Sequence, residues 1–195
     1  MKKFGILTIV AICSLLFVAS MIGCSSTGSG GTNTVYFPLT DGYSWVYSTQ
    51  QGSSITTQVQ TVEGTKQISS TITASKVITL NSSGSTSEAY LKATNDGVFS
   101  YGGSSSLTTE ASTQLSYPLT VGKTWANGSA IAEVISIDTT VIVPAGTFAN
   151  CAVVTIAYGY NATNLYLAPN VGLVRMNGVY NGTIMSTMEL TSKNF

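Results

Sequence analysis

The sequence predicts an all-β domain: a strongly curved antiparallel sheet, shaped like a half-barrel or a clam, built from two similar halves. Three observations lead to this fold class. From Val35 onward the chain is rich in Val, Ile, Thr and Tyr, and no window keeps the 3.6-residue apolar period of a helix. Asn-Gly pairs at 127–128, 177–178 and 181–182 are typical of tight hairpins. A motif at 36–45 also recurs at 116–125.

The N-terminal segment has the pattern of a bacterial export signal. Lys2 and Lys3 precede the apolar stretch 4–22, and Gly23 stands immediately before Cys24. Residues 21–24 resemble the lipobox of bacterial lipoproteins. That resemblance implies cleavage before Cys24, a diacylglyceryl group on its thiol and palmitate-type acylation, whereas the alternative is an uncleaved membrane helix over 4–22. By the same resemblance, Ser25 favours the outer membrane.

The predicted domains follow from this signal. Residues 1–23 are the signal peptide, 24–34 are the acylated cysteine and a flexible linker of Ser, Thr, Gly and Asn, and 35–195 are one β-domain with repeats at 35–115 and 116–195. The whole chain has 8 Lys+Arg and 8 Asp+Glu, and loss of Lys2 and Lys3 leaves a net charge near −2. Six scattered cations make nucleic-acid binding improbable. We therefore expect contact with the membrane through lipid.

The clearest predicted strand is 68–80. Ile68, Ile72, Ala74, Ile78 and Leu80 share one parity, and Ser and Thr residues occupy most of the other. A strand of this length indicates a twisted or curled sheet with one buried face.

The repeated motif has the form aromatic-Pro-Leu-Thr-x-Gly-x-Ser/Thr-Trp and ends at Trp45 and at Trp125. Each proline interrupts strand pairing, each glycine permits a turn, and each tryptophan begins a new strand. The two indoles could flank one apolar ligand, or each could fill the core of its own half. Tyr158 and Tyr160 share a parity and could line a groove or lie at its rim.

Catalytic signals are weak. The chain has no histidine, which excludes Ser-His-Asp triads, Cys-His pairs and His-based metal sites. We expect no cofactor, no metal and no catalytic residue. A carboxylate pair is a remote alternative, with Glu133 the most interesting acid because its parity matches Ile131 and Ile135; an ion pair with Arg175 is conceivable. Cys151 is interpreted as an inert buried thiol. The eight acids are Asp41, Glu63, Glu88, Asp96, Glu110, Glu133, Asp138 and Glu189.

Three motifs together support a family resemblance. They are the aromatic-Pro-Leu-x-x-Gly-x-x-Trp motif, Pro-Ala-Gly-x-Phe-x-x-Cys at 144–151, and Tyr-x-Ala-x-x-Val-Gly-x-Val-Arg at 166–175. The chain resembles uncharacterised bacterial lipoproteins that carry these motifs, and is distantly similar to the curved sheets of lipoprotein-localisation factors. No counterpart of the helices that plug those sheets is evident.

The sequence thus favours a non-enzymatic module in the cell envelope, anchored to the outer membrane at Cys24. Its expected partner is an apolar small molecule or an envelope protein. Candidate ligand-binding residues are Trp45, Trp125, Tyr158 and Tyr160. The alternative is a purely structural envelope lipoprotein with a filled core.

Overall fold

The computed structural model describes residues 34–195. The signal peptide predicted at 1–23, the lipidation site at Cys24 and the linker up to residue 33 lie outside the described residues. The compact unit Asn33–Phe195 contains the whole sheet and all the apolar clusters, so it has what a domain needs to fold on its own. Within 34–195 no helix of a length and hydropathy suited to crossing a membrane is found.

The fold is all-β, as predicted, and its strands alternate in direction throughout the described part. The twelve strands are β1 (Ser44–Gln51), β2 (Ser54–Gln67), β3 (Thr73–Asn81), β4 (Thr86–Thr94), β5 (Gly97–Gly103), β6 (Ser106–Ser116), β7 (Thr124–Asn127), β8 (Ala130–Val143), β9 (Gly146–Tyr158), β10 (Asn161–Ala168), β11 (Gly172–Tyr180) and β12 (Thr183–Lys193).

These strands form one sheet in the order β6-β5-β4-β3-β2-β1-β12-β11-β10-β9-β8-β7. Two meanders of six strands therefore meet at the pair β1–β12, and the edge strands β6 and β7 are consecutive in the chain and contact one another. The sheet is strongly curved and nearly closed, which confirms the predicted curvature. Register shifts in seven strand pairs, three of them between β8 and β9, supply bulges that bend the strands.

The segments before β1 and β7 form the same turn. Gly42 N donates to Val62 O over 2.9 Å, and Gly122 N donates to Val134 O over 2.9 Å. The two glycines have φ of 82° and 83°, a region that glycine enters without the Cβ penalty. The repeated motif therefore sets one local backbone structure twice.

The predicted strand 68–80 is wrong in its first part. Strand β2 ends at Gln67, and Ile68 N donates to Ile72 O over 2.8 Å, so residues 68–72 form a tight connection to β3. Ile68 and Ile72 pack with Tyr90 and Tyr101 on the face of the sheet opposite to Leu91. Ala74 packs with them, whereas Val77, of the other parity, packs with Trp45 in the core, so the parity predicted to be buried in the core is that of the outer face.

The main core lies on the inner face of the curved sheet and has two clusters. We call the one around Trp45 the first cluster and the one around Val134 the second cluster. The first contains Trp45, Tyr47, Val62, Val77, Leu91, Val141, Val143, Cys151, Ala168, Val174, Met188 and Leu190. The second contains Val98, Leu115, Leu119, Ala132, Val134, Ala152, Val154 and Leu167.

Candidate functional site

Trp45 lies in the first cluster and is only 4% exposed. Its Nε1–H donates to the carbonyl oxygen of Val171 over 2.7 Å, and its ring meets Phe195 edge-on at 5.2 Å. A space of only about 10 Å³ lies beside it, about the size of one water molecule. Trp45 is therefore a core residue with its polar atom satisfied.

Trp125 packs against the second cluster and is half-buried. Its Nε1 is buried and has no hydrogen-bond partner among the described residues. The two indoles thus belong to different clusters and differ in how their N–H groups are satisfied.

Tyr158 and Tyr160 lie at the turn between β9 and β10 and are 62% and 76% exposed. Neither lines the two cavities described below. The four aromatic residues singled out in the sequence do not form one site, since two lie in the core and two on a hairpin. Their role in ligand binding stays a prediction.

An open groove of about 570 Å³ lies at the end of the sheet where β2 ends and β3 begins. Its volume is within the range of small-molecule sites. Most of its lining is apolar, and Lys92 is the one charged residue among the lining residues. The groove is lined by Val35, Phe37, Pro38, Leu39, Thr40, Tyr43, Thr65, Thr73, Ala74, Ser75, Leu91, Lys92, Ala93 and Asn170.

A more enclosed cavity of about 110 Å³ adjoins the groove. Phe37 and Leu91 line both spaces, so these two side chains form the partition between them. Apart from Gln114, every residue around the cavity is apolar: Phe37, Leu91, Val98, Leu115, Leu165, Leu167 and Leu173. The apolar cavity and the wider groove thus share one wall.

The segment 35–39 holds the partition in place. Asn170 N donates to Val35 O over 2.7 Å, and Tyr36 N donates to the Tyr117 hydroxyl over 3.3 Å. Pro38 is buried, and Phe37 packs against both clusters. The segment therefore covers part of the inner face of the sheet.

Burial favours the neutral form of three titratable side chains, Tyr36, Tyr117 and Cys151. Burial raises the pKa of Tyr36 and of Tyr117 above the usual range for tyrosine. Burial also raises the pKa of the Cys151 thiol, which is fully buried and donates to the Phe148 carbonyl over 3.4 Å. An unreactive thiol is what this environment favours.

The acids form no cluster. No group of three or more acidic or cysteine side chains is placed to hold a metal ion in the described part of the chain. Glu88 accepts from Tyr90 Oη over 2.6 Å, and Asp138 accepts from Ser136 Oγ over 2.8 Å. Asp41 accepts from the backbone N–H of Gly64 over 2.5 Å.

Glu133 does not face the core, and Arg175 is not its partner. On β8 the buried parity is that of Ala132 and Val134, so Glu133 shares the exposed outer face with Ile131 and Ile135. Arg175 pairs with Glu189 instead, with Nη2 and Oε1 2.7 Å apart. The alternating isoleucines showed which residues of β8 share a face, but they did not show that this face is the exposed one.

Sequence reasoning missed the residues that line the groove. Phe37 lies in the repeated motif at 36–45, and Leu91 lies on β4. The two line the same groove because the segment before β1 packs on the inner face of the sheet, where Leu91 also lies. The repeated motif could have indicated Phe37, whereas no local pattern shows which strand this segment packs against.

Comparison with known proteins finds solved structures that share the fold. No protein-family model and no curated protein matches the chain. The fold is similar to that of a candidate lipoprotein from Parabacteroides distasonis, with a TM-score of 0.54 and 18% identity over 83% of this chain and 99% of that one. At this identity the likeness establishes a shared fold.

Two weaker likenesses were found. A candidate exported protein with a YmcC-like fold from Bacteroides fragilis has a TM-score of 0.48 and 15% identity over 83% of this chain and 100% of that one. MucB in the Pseudomonas aeruginosa MucA/MucB complex has a TM-score of 0.39 and 12% identity over 78% of this chain. This chain matches about half of MucB, 50% of its length.

Proposed function

We propose that the chain is an outer-membrane lipoprotein, anchored through Cys24, whose β-domain binds an apolar ligand without catalysing a reaction. The anchor is supported by the residues at 21–24, which resemble the lipobox, with Met21 where Leu is commoner. The binding is supported by one structural observation: an apolar cavity of about 110 Å³ and a groove of about 570 Å³ lie side by side and share Phe37 and Leu91 in their linings.

The chemistry of the lining specifies the ligand class. The cavity suits an apolar chain or ring, while Lys92 adds a single positive charge in the wall of the groove. An amphiphile with an apolar body and an anionic group matches both, since a charge-assisted hydrogen bond contributes more than a neutral one. An apolar segment of an envelope protein that ends in a carboxylate would satisfy the same description.

The test uses the unit from Ser25 to Phe195 with two probes, dodecanoate and dodecanol, in calorimetric titrations. We expect saturable binding of both, with dodecanoate about tenfold tighter because of Lys92. Lys92→Met should remove that preference and leave dodecanol binding unchanged. Lys76→Met is the matched control, because Lys76 pairs with Glu63 at 3.8 Å and does not line the groove.

A second variant tests the cavity itself. Leu91→Trp places a larger side chain in the partition and should abolish binding of both probes. Val121→Trp is the control, since Val121 is 63% exposed and lines neither space. If the wild-type domain binds neither probe, the proposal loses its support and the filled interior beside Trp45 favours a structural envelope lipoprotein.

A further inference from the structure

The strand order places six hairpin turns at one end of the sheet. In an antiparallel meander every second turn lies at the same end of the sheet. Because β1 and β12 are also antiparallel, the β1–β2 and β11–β12 turns lie at the same end, and so do the alternate turns of both meanders. We call this end, comprising the six turns and the strand residues beside them, the hairpin rim. Its turns are β1–β2, β3–β4, β5–β6, β7–β8, β9–β10 and β11–β12.

Exposed apolar side chains concentrate on the hairpin rim. Of the fourteen exposed large hydrophobic residues in the described part, eight lie at or within two residues of these six turns, and each of the six turns contributes at least one. They are between 44% and 76% exposed. The eight are Ile55, Leu80, Leu107, Ile131, Tyr158, Tyr160, Tyr180 and Ile184.

Charge is distributed in the opposite way. The six turns and the two strand residues on either side of each contain no Asp, Glu, Lys or Arg. Every cation of the described part lies nearer to the other end of the sheet: Lys66, Lys76, Lys92, Lys123, Arg175 and Lys193. Insertion of the rim into an apolar phase would therefore dehydrate no charged group.

We propose that the hairpin rim contacts the hydrocarbon boundary of a lipid bilayer. Apolar side chains on six separate turns, three of them tyrosines, match a fluid phase whose interface accepts aromatic rings better than they match a preformed protein pocket. Attraction to anionic headgroups plays no part, because the cations lie at the opposite end.

The chain that precedes the described part is long enough for this contact. Ten residues separate Cys24 from Val35, and an extended chain covers at most ~3.6 Å per residue, or roughly 35 Å. Strand β1 has eight residues and covers about 26 Å at ~3.3 Å per residue. The anchor and the hairpin rim can thus reach one bilayer, which gives the domain two attachments. The proposed bilayer contact rests on the proposed anchoring at Cys24, and it does not depend on what the groove binds.

The test measures co-sedimentation of the unit from Ser25 to Phe195 with sucrose-loaded phosphatidylcholine vesicles, at low salt and at high salt. We expect binding that salt does not weaken, because no charge pair is involved. A triple rim variant, Ile55→Ser, Tyr160→Ser and Ile184→Ser, should bind at least about tenfold more weakly, since it removes three exposed apolar side chains. Sedimentation velocity of both proteins is recorded in parallel.

The matched control replaces three equally exposed residues away from the rim: Val121→Ser, Ile135→Ser and Ile142→Ser. It should bind as the wild type does. Tyr160→Trp provides a second readout that needs no loss of function, because its fluorescence should shift to shorter wavelength with vesicles and be quenched by brominated lipid.

Three outcomes would overturn the proposal. Binding to anionic vesicles alone, lost at high salt, would assign the contact to the cation-bearing end. A dimer that the triple rim variant dissolves, without vesicle binding, would assign the rim to a second copy of the chain. A monomer that ignores vesicles would leave the rim without a bilayer contact. None of these outcomes bears on binding of dodecanoate in the groove, so the two proposals fail separately.

Discussion

The two six-strand halves of the sheet begin with the same turn and then differ in how each satisfies its tryptophan. Hydrogen bonds from Gly42 and Gly122 set equivalent backbones, yet Trp45 is bonded to Val171 in the opposite half while the Trp125 Nε1 has no partner among the described residues. A shared motif therefore determines the local turn. Whether the tryptophan that follows is buried, and whether its N–H finds an acceptor, depends on which residues of the other half pack against it.

The largest expected difference is between two glycines that begin corresponding strands, Gly97 on β5 and Gly172 on β11. A Cβ at Gly97 would collide with the carbonyl oxygen of Leu115, and the residue has φ of 153°. At Gly172, with φ of 99°, the nearest atom to a Cβ would be Pro38 Cδ at an ordinary 3.5 Å. We expect Gly97→Ala to lower the free energy of unfolding by about 4 kcal/mol or more and Gly172→Ala by about 1–3 kcal/mol.

Urea unfolding followed by circular dichroism measures both. Gly128→Ala is the control for positive φ alone, because its φ is 60° with open space around it, and we expect a cost of about 1 kcal/mol. Equal costs for Gly97→Ala and Gly172→Ala would show that the close approach to Leu115 does not distinguish the halves.

The next difference concerns the indoles. Trp45→Phe removes the donor to Val171 O and leaves this partly buried carbonyl without that hydrogen bond, so we expect a loss of about 2–3 kcal/mol. Trp125→Phe removes a donor that makes no bond, and we expect a loss below about 1 kcal/mol. The same unfolding experiment provides the values. A larger loss for Trp125→Phe than for Trp45→Phe would contradict the distinction drawn here.

The smallest difference concerns one ion pair in each half. Arg175 bonds Glu189 through two nitrogens, at 3.0 and 2.7 Å, and donates to Ile142 O over 2.7 Å. Lys76 and Glu63 are 3.8 Å apart, and the Glu63 side chain is 51% exposed. We expect Arg175→Met to cost about 1–3 kcal/mol and Lys76→Met to stay within about 0.5 kcal/mol.

Thermal unfolding at low and high salt checks this pair of variants. The Arg175 effect should persist at high salt because part of it comes from the bond to a carbonyl, and any Lys76 effect should disappear. A salt-sensitive Arg175 effect equal to that of Lys76 would mean that the Ile142 contact contributes nothing.

The fold class could be predicted from the sequence because hydrophobic periodicity and turn-forming residues are properties of short stretches of chain. Val, Ile, Thr and Tyr with Asn-Gly turns predicted an antiparallel sheet, and the sheet is antiparallel. Prediction from the sequence failed where both faces of a strand carry apolar residues. Ile68 and Ile72 cover the outer face beside Tyr90, and Ile131 lies exposed opposite the buried Ala132.

The groove could not be predicted from the sequence because its walls come from distant parts of the chain. Phe37 and Leu91 become neighbours only when the segment before β1 packs on the inner face of the sheet, and periodicity contains no information about that packing. The hairpin rim is a similar case. An apolar residue beside each turn is visible in the sequence, but only the strand order shows that all six turns share one end.

The pairing of β1 with β12 also determines when the molecule can be completed. Thr191 Oγ1 donates to Val46 O across 145 positions of sequence, and β12 is the strand that pairs with β1 on the side away from β2. During synthesis the edge of β1 therefore waits for its partner until β12 has been made, and contacts of such high order form slowly.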